Sequence, residues 1–350
     1  MNNPVLILLE SAMMFCMIDL CIDARMAFCS GIGVYIRQLV PFFNAAPFRL
    51  RLLVDRFDQP WCCGIEQILF RAPIYSVKEQ LQYPLKVPKC DLFWSPHYNV
   101  PLLPIRAKKR IATIHDACHL ALGTFEKKMY AKWVMRRALA RSDRAITVSQ
   151  FSKVEIEKFV GCGDLKVIHV GINRNTFSRK PSSEEIRKKY RLPERFVLFI
   201  GNFKPHKNIE RLIRAFSKVN VSGLELVVVG KGTALGQVLD EELPVLYSMA
   251  EMFVFPSLYE GFGLPPLEAM SCGCPTVVSN AASIPEVCGD ASVYFNPENV
   301  DEMADAIRRV AVDEKLRAKL IQRGLERVEV FKWEKTAMEH RKVFEEVCFA

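Results

Sequence analysis

The sequence predicts an α/β protein made of parallel sheets in two domains, and three observations carry that prediction. At 350 residues the chain can bury a large core, and two domains are the default at this length. Short apolar runs such as Phe196-Val197-Leu198-Phe199-Ile200 read as buried strands. The stretch 252–280 reads as a complete strand–loop–short helix–strand unit. In it Met252-Phe253-Val254-Phe255 is the first strand, and Pro256 and Ser257 end it. Pro265 and Pro266 suit the first turn of a helix, where a missing N–H is no loss. Gly273 suits the C′ position that ends the helix, and Thr276-Val277-Val278 is the next strand.

The chemistry of this unit follows from its layout. Its helix N-terminus faces the carboxyl edge of a sheet, where open α/β sheets bind ligands. A helix N-terminus fronted by small-residue amides favours an anion. The prolines have no N–H, so the donors lie upstream, at Gly261, Phe262, Gly263 and Leu264. Glu260 precedes the loop and Glu268 lies in the helix, eight residues on. Carboxylates accept from hydroxyls and repel phosphate. They are expected to hold sugar hydroxyls at either end while the amides hold a phosphate between them, which suits a nucleotide sugar. The stretch resembles the Glu-x7-Glu motif of retaining GT-B glycosyltransferases of family 4, in particular members that act like mannosyltransferases and build bacterial surface polysaccharides. The resemblance runs through most of the chain.

Composition narrows the classes. Half of the residues are apolar and a quarter are charged, as in a globular protein. The twelve cysteines are scattered without a Cys-x-x-Cys, which fits reduced thiols in the cytoplasm rather than a disulfide framework. Residues 4–18 are apolar apart from Glu10 and Ser11, but they lack a basic start and fall short of a membrane span. Residues 1–16 therefore read as an N-terminal extension, with a signal peptide as the lesser alternative. Residues 1–180 hold 26 Lys and Arg against 14 Asp and Glu, a net of +12, whereas residues 181–350 net −3. A basic first half suggests an anionic partner: a membrane surface, a lipid phosphate or nucleic acid. No recognisable nucleic-acid module accompanies it, so nucleic acid is not expected.

In chain order, 20–25 ends a first strand, and Ser30-Gly31-Ile32-Gly33 leads as a loop into a helix over about 34–43. Gly-x-Gly after a strand suits a dinucleotide fold equally well, although the full Gly-x-Gly-x-x-Gly is absent. By the family resemblance, Gly31 and Gly33 face the donor diphosphate. Residues 91–95 and 110–116 are strands, the second ending in His115 and Asp116. The resemblance makes His115 a contact of the transferred sugar. A satisfied core histidine is the plainer reading. Zinc held by His115 and His119 is disfavoured, because a zinc-protease helix would not begin inside an Ile-Ala-Thr-Ile strand. Residues 126–143 form a Lys/Arg-rich helix interleaved with Trp133, Met135 and Leu139, either a solvated face or a membrane-surface helix. Residues 145–149 are a strand, and Ser149 is a candidate N-cap for the helix that follows.

The second domain opens with the strand 196–201 and the loop 202–208, ahead of a helix over 209–219. Lysines before a helix N-terminus make an anion site. By resemblance Lys207 binds the diphosphate, while Asn202 stands where many members have arginine and Lys204 is the candidate substitute; ordinary surface charge is the alternative. Residues 224–229 are a strand ending at Gly230, Lys231 and Gly232. Only eight residues separate Gly232 from the helix 241–250, where related chains place a helix and a strand that line the nucleobase pocket. The second domain is therefore shortened. Residues 281–287 and 292–295 match the family's closing turn and strand; 301–311 and 314–328 are helical, and a last helix begins at 331–334.

The expected architecture is GT-B: two Rossmann-like domains facing each other across a cleft that holds the active site. They cover residues 17–173, the acceptor side, and 195–328, the nucleotide-sugar side, joined by a linker at 174–194, with 329–350 as a helix returning to the first domain. The expected reaction moves a hexose, mannose favoured, from a nucleoside diphosphate sugar, GDP-mannose favoured, to a glycan or lipid-linked acceptor, in polysaccharide or lipopolysaccharide biosynthesis. Retention of configuration is implied by the family. His115 and Glu260 are the expected catalytic contacts, Glu268 the ribose contact. No cofactor or metal is expected, because amides and Lys207 neutralise the leaving group and no Asp-x-Asp is present. The expected location is the cytoplasm, peripherally on the inner membrane. The alternatives are an inactive relative with a reduced base site and a nucleotide-sugar epimerase.

Overall fold

The computed structural model describes residues 17–57, 59–161, 164–230, 236 and 238–350. The chain divides into two compact units. Of the described residues, one holds those up to Val148, Lys153–Ile168 and Trp333–Ala350; the other holds Ser149–Ser152 and His169–Lys332.

The first unit is built on seven strands: β1 (Ile18–Asp23), β2 (Phe48–Val54), β3 (Glu66–Leu69), β4 (Cys90–Ser95), β5 (Ala107–Thr113), β6 (Arg144–Thr147) and β7 (Leu165–Val167). They lie parallel in the order β3-β2-β1-β4-β5-β6-β7. The order reverses between β1 and β4, so the carboxyl ends of those two strands form the crevice of this sheet. The helix Trp333–Phe349 belongs to this unit. Its Phe344 ring lies 5.3 Å from both Trp94 and Phe43, and His340 Nε2 meets the Tyr35 hydroxyl at 2.5 Å.

The second unit carries β8 (Arg195–Ile200), β9 (Leu224–Val229), β10 (Met252–Phe255), β11 (Thr276–Ser279) and β12 (Ser292–Phe295), parallel in the order β12-β11-β10-β8-β9. These strands are apolar on consecutive residues because a parallel sheet in an α/β protein is covered on both faces. Val197, Phe199, Val254, Val277 and Phe295 pack with Leu212, Met303 and Ile307 in one core. The switch point lies between β8 and β10, and both expected donor loops leave the sheet there.

Several expectations are corrected. The division between units falls at His169 rather than after residue 173. Ile172 forms a bridge with Lys332, and its N–H donates to Phe331 O, which ties this stretch to the second unit. The stretch 174–194 counts with that unit and contains the helix Glu184–Tyr190, capped by Ser183. The strand expected over 110–116 stops at Thr113, leaving His115 and Asp116 in the loop beyond. Gly31 and Gly33 are not in a loop before a helix. They lie in the opening turns of the helix Ser30–Leu39. A Cβ at Gly33 would stand 2.5 Å from Ala27 O, so only glycine fits there. Two strands, β2 and β3, and the helix Val77–Lys86 have no counterpart in the sequence reading. Residues 1–16, Lys231 and Gly232 lie outside the described residues.

Between β9 and β10 the described residues form one helix, Leu243–Met249, and no strand. β9 is the sheet edge, with β8 as its neighbour. A five-stranded sheet that ends at β9 keeps β8, β10 and β11 interior, so the core persists.

Candidate functional site

Two loops meet at the β8/β10 switch point. In the first, Asn202 and Lys204 are exposed, and Asn202 Oδ1 accepts from Lys204 N at 3.3 Å. Asn208 holds the loop in shape. It adopts a left-handed backbone (φ 60°), which asparagine tolerates. Its buried amide donates to Pro256 O at 3.0 Å and Pro297 O at 2.7 Å. Leu258 N donates to His206 O at 2.8 Å and fastens the second loop to the first. These bonds bring Lys207 to Glu260, with Nζ 2.6 Å from Oε1 and both side chains largely buried. Lys207 Nζ also lies 5.5 Å from the Phe255 ring centroid. The sequence reading gave these two residues separate duties; the structure pairs them.

The second loop is held by its carbonyls. Ser149 Oγ and Ser152 Oγ donate to Gly261 O at 2.7 and 3.0 Å. Ser283 Oγ lies 2.9 Å from Glu260 O and 2.8 Å from Phe262 O. Among the described residues none accepts from the N–H groups of Gly261, Phe262, Gly263 or Leu264. Gly263 then caps the helix Leu264–Ser271 at φ +105°, a conformation reserved for glycine, with Pro265 and Pro266 in the first turn. The helix ends as read: Gly273 N donates to Met270 O and Cys274 N to Ala269 O, the two bonds of a Schellman motif. The Phe262 side chain is buried between His169 and Phe331.

Glu268 faces another way. It accepts from the buried Tyr247 hydroxyl at 3.0 Å. Burial, reinforced by Asp240, pushes its carboxyl up to about 7, against the opposing pull of the Tyr247 bond. Glu286 is its opposite. It accepts from Gln150 N at 2.8 Å and Phe151 N at 3.1 Å, at the start of the helix Gln150–Val160, and pairs with His169 at 2.8 Å. These bonds outweigh burial and hold it below the usual carboxylate range. Ser149 is the N-cap expected from sequence, since its Oγ accepts from Ser152 N at 3.0 Å.

In the first unit His115 is half-buried. Its Nε2 lies 2.9 Å from Pro96 O, and its ring is edge-on to Tyr35 at 4.8 Å. A carbonyl only accepts, so Nε2 carries the proton and Nδ1 is left as an acceptor. Burial lowers its pKa and keeps the ring neutral. Gly31, Gly33 and His115 belong to this unit, and the other expected site residues belong to the second. Among the described residues, no group of three or more His, Cys, Asp and Glu side chains could hold a metal ion.

Each unit is a parallel sheet with a switch point, and two such units define a two-Rossmann α/β protein of the GT-B class. A model of the group 1 glycosyl transferases matches residues 194–313. The O-antigen chain mannosyltransferase B of Escherichia coli is 32% identical over 262 residues, covering 66% of this chain and 69% of the relative. The serotype-specific mannosyltransferase WbdA of Escherichia coli is 33% identical over 227 residues, 56% of this chain but 28% of its own length. Among solved structures, Anabaena Alr3699/HepE in complex with UDP-glucose superposes with a TM-score of 0.78 at 17% identity, covering 94% of this chain and 100% of that one. The chain belongs to the group 1 glycosyl transferases and is a glycosyltransferase.

The sequence reading missed Ser152, Ser283, Asn208, Tyr247 and Glu286. Each is a common residue at an unremarkable position, and its role comes from a partner 21 to 136 positions away. Asn208 alone left a local signal, standing between a lysine and an apolar helix start.

Proposed function

We propose that the chain transfers mannose from GDP-mannose to a glycan or lipid-linked acceptor, with retention of configuration, in the synthesis of a surface polysaccharide. The observation that carries this reading is the loop at the β8/β10 switch point. Its carbonyls are tied back, its amides are unpaired among the described residues, and it leads into a helix N-terminus with Lys207 beside it. That array suits a diphosphate. The names of the relatives supply the choice of mannose.

In this reading the bond between the sugar's anomeric carbon and the diphosphate breaks as the acceptor oxygen bonds to that carbon on the same face. The acceptor proton passes to the departing diphosphate oxygen. Amides at 261–264 and Lys207 carry the growing negative charge, so no divalent metal is required. Asn202 and Lys204 add polar contacts at the mouth of the loop. Donor phosphate competes with Glu260 for Lys207, and the released carboxylate accepts from the sugar hydroxyls. Glu268 accepts from the ribose. His115 accepts a sugar hydroxyl at Nδ1. Gly31, with nothing within 4 Å of where a Cβ would stand, leaves the first helix N-terminus open to phosphate, whereas Gly33 is required by its close approach to Ala27.

We place the protein in the cytoplasm at the inner membrane. No helix among the described residues is long and apolar enough to span a membrane. The helix Phe125–Arg141 exposes Phe125, Met129 and Trp133 among Lys127, Lys128, Lys132, Arg136 and Arg137, a composition suited to an anionic surface.

The test is a thermal-shift and turnover screen with GDP- and UDP-sugars in EDTA. GDP-mannose at about 100 times its Kd should stabilise the fold by about 2.7 kcal/mol, and turnover should persist in chelator. Stabilisation by none of the sugars would overturn the reading in favour of an inactive relative. Free epimer without acceptor would favour an epimerase. Turnover lost in EDTA and restored by manganese would overturn the metal-free step.

A further inference from the structure

Ser283 stands just before the helix Ile284–Cys288, where a serine hydroxyl ordinarily accepts from its own helix. It makes no such cap. The hydroxyl is fully buried and is shared instead by Glu260 O at 2.9 Å and Phe262 O at 2.8 Å, carbonyls two residues apart. In a planar trans peptide the N–H points opposite to the C=O. Holding Glu260 O turns Gly261 N–H away from Ser283, and holding Phe262 O turns Gly263 N–H the same way. The carbonyl between them is tied to Ser149 and Ser152, so Phe262 N–H takes a different direction.

We infer that Ser283 is a positioning residue for the transfer reaction: it pairs the amides of Gly261 and Gly263 on one face of the loop as a two-donor cradle for a donor phosphate, and leaves Phe262 N–H out of it. The inference rests on the donor reading above and deepens it. Donors fixed before the ligand arrives need no reorganisation as charge develops, which is where such groups are most effective. The three serines then differ in kind. Ser283 governs both planes of the pair, whereas Ser152 shares one plane outside it.

The experiment is calorimetric titration of the parent, S283A and S283C with GDP and UDP, and with guanosine and uridine as phosphate-free controls. Loss of one buried hydroxyl that orients the phosphate donors is expected to weaken the bound nucleoside diphosphate about tenfold in S283A, the scale of one hydrogen bond to a charged group. The matching nucleoside should bind as it does to the parent, and kcat should fall with the diphosphate affinity. S283C, with a weaker donor, should fall between parent and S283A. S283A and S283C binding the diphosphate like the parent would overturn the inference alone. Equal loss for diphosphate and nucleoside would reduce Ser283 to a structural role and also overturn it. A parent that binds neither diphosphate would overturn the donor reading, and this inference with it.

Discussion

The two sheets end in polar clusters of opposite character. At the end of β1, Arg25 is buried against Asp23 at 2.5 Å and Glu79 at 2.7 Å, and it also donates to Tyr83 at 2.6 Å. Asn99 closes the far side by donating to Glu79 at 2.8 Å. Burial alone would raise Asp23, but the guanidinium beside it, with His97, holds it far below the carboxylate range. The guanidinium nitrogens of Arg25 all face acceptors, in Asp23, Glu79, Tyr83 or the Ala72 carbonyl. At the end of β10, acceptors are tied back by serines while amides are left, and one ion pair remains within reach of solvent. A guanidinium whose acceptors are all supplied by the protein has no capacity left for an anion, so the Arg25 cluster is architecture. An array with its carbonyls satisfied and its amides unspent has capacity of one sign, suited to the anion proposed above.

Breaking the first cluster should have the largest effect on stability. Arg25→Met leaves two buried carboxylates without their cation and should cost about 3–5 kcal/mol. Denaturant unfolding measures it, and a cost under about 1 kcal/mol would mean that the cluster is not architecture. The second cluster should respond in the reverse sense. Lys207→Met and Glu260→Gln should each lower kcat about 10²–10³-fold, as for loss of one charge-stabilising group, while unfolding changes by about 1–2 kcal/mol at most. Turnover and melting on the same preparations separate the two effects, and full activity in both variants would place the chemistry elsewhere.

Glu268 sharpens the contrast through pH. Its folded pKa, about 7, lies above the ordinary glutamate value of 4.5, so the folded state holds the proton more tightly than the unfolded chain. Stability from this group therefore falls as pH rises from 4.5 to 7 and is flat above that, by up to about 3 kcal/mol at 1.36 kcal/mol per unit. Glu268→Gln should remove that slope. Unfolding at pH 5, 6, 7 and 8 measures it, and parallel curves for parent and variant would refute the raised pKa. The smallest change in stability should come from changing Lys127, Lys128, Lys132, Arg136 and Arg137 to Gln. Melting should move little, because these are surface charges, but sedimentation with anionic vesicles at low salt should be lost. Equal sedimentation with neutral and anionic vesicles would make the helix an ordinary solvated face.

Much of the second unit was legible in the sequence. Its strands are unbroken apolar runs, and the Gly263, Pro265, Pro266 and Gly273 punctuation sets both ends of one helix by local sterics. The first unit was less so. β2 reads Phe-Arg-Leu-Arg-Leu-Leu-Val and β3, Glu-Gln-Ile-Leu, has no fully buried residue, so neither stands out from amphipathic loop. The helix Val77–Lys86 carries Pro84 inside it and exposes Val77, Leu81 and Leu85, against both propensity and the burial rule.

What the sequence determined by itself is local: strand runs, helix ends, the glycines and the two glutamates eight residues apart. These depend on φ/ψ sterics and on neighbours within one turn. What only the tertiary structure decided is which groups remain to act. Ser283 leaves its own helix for Glu260 and Phe262, Lys207 closes on Glu260, and Tyr247 rather than solvent meets Glu268. Such pairings set the direction of an amide or the proton of a carboxyl. They arise from residues that only folding brings within 3 Å, so no window of sequence contains them.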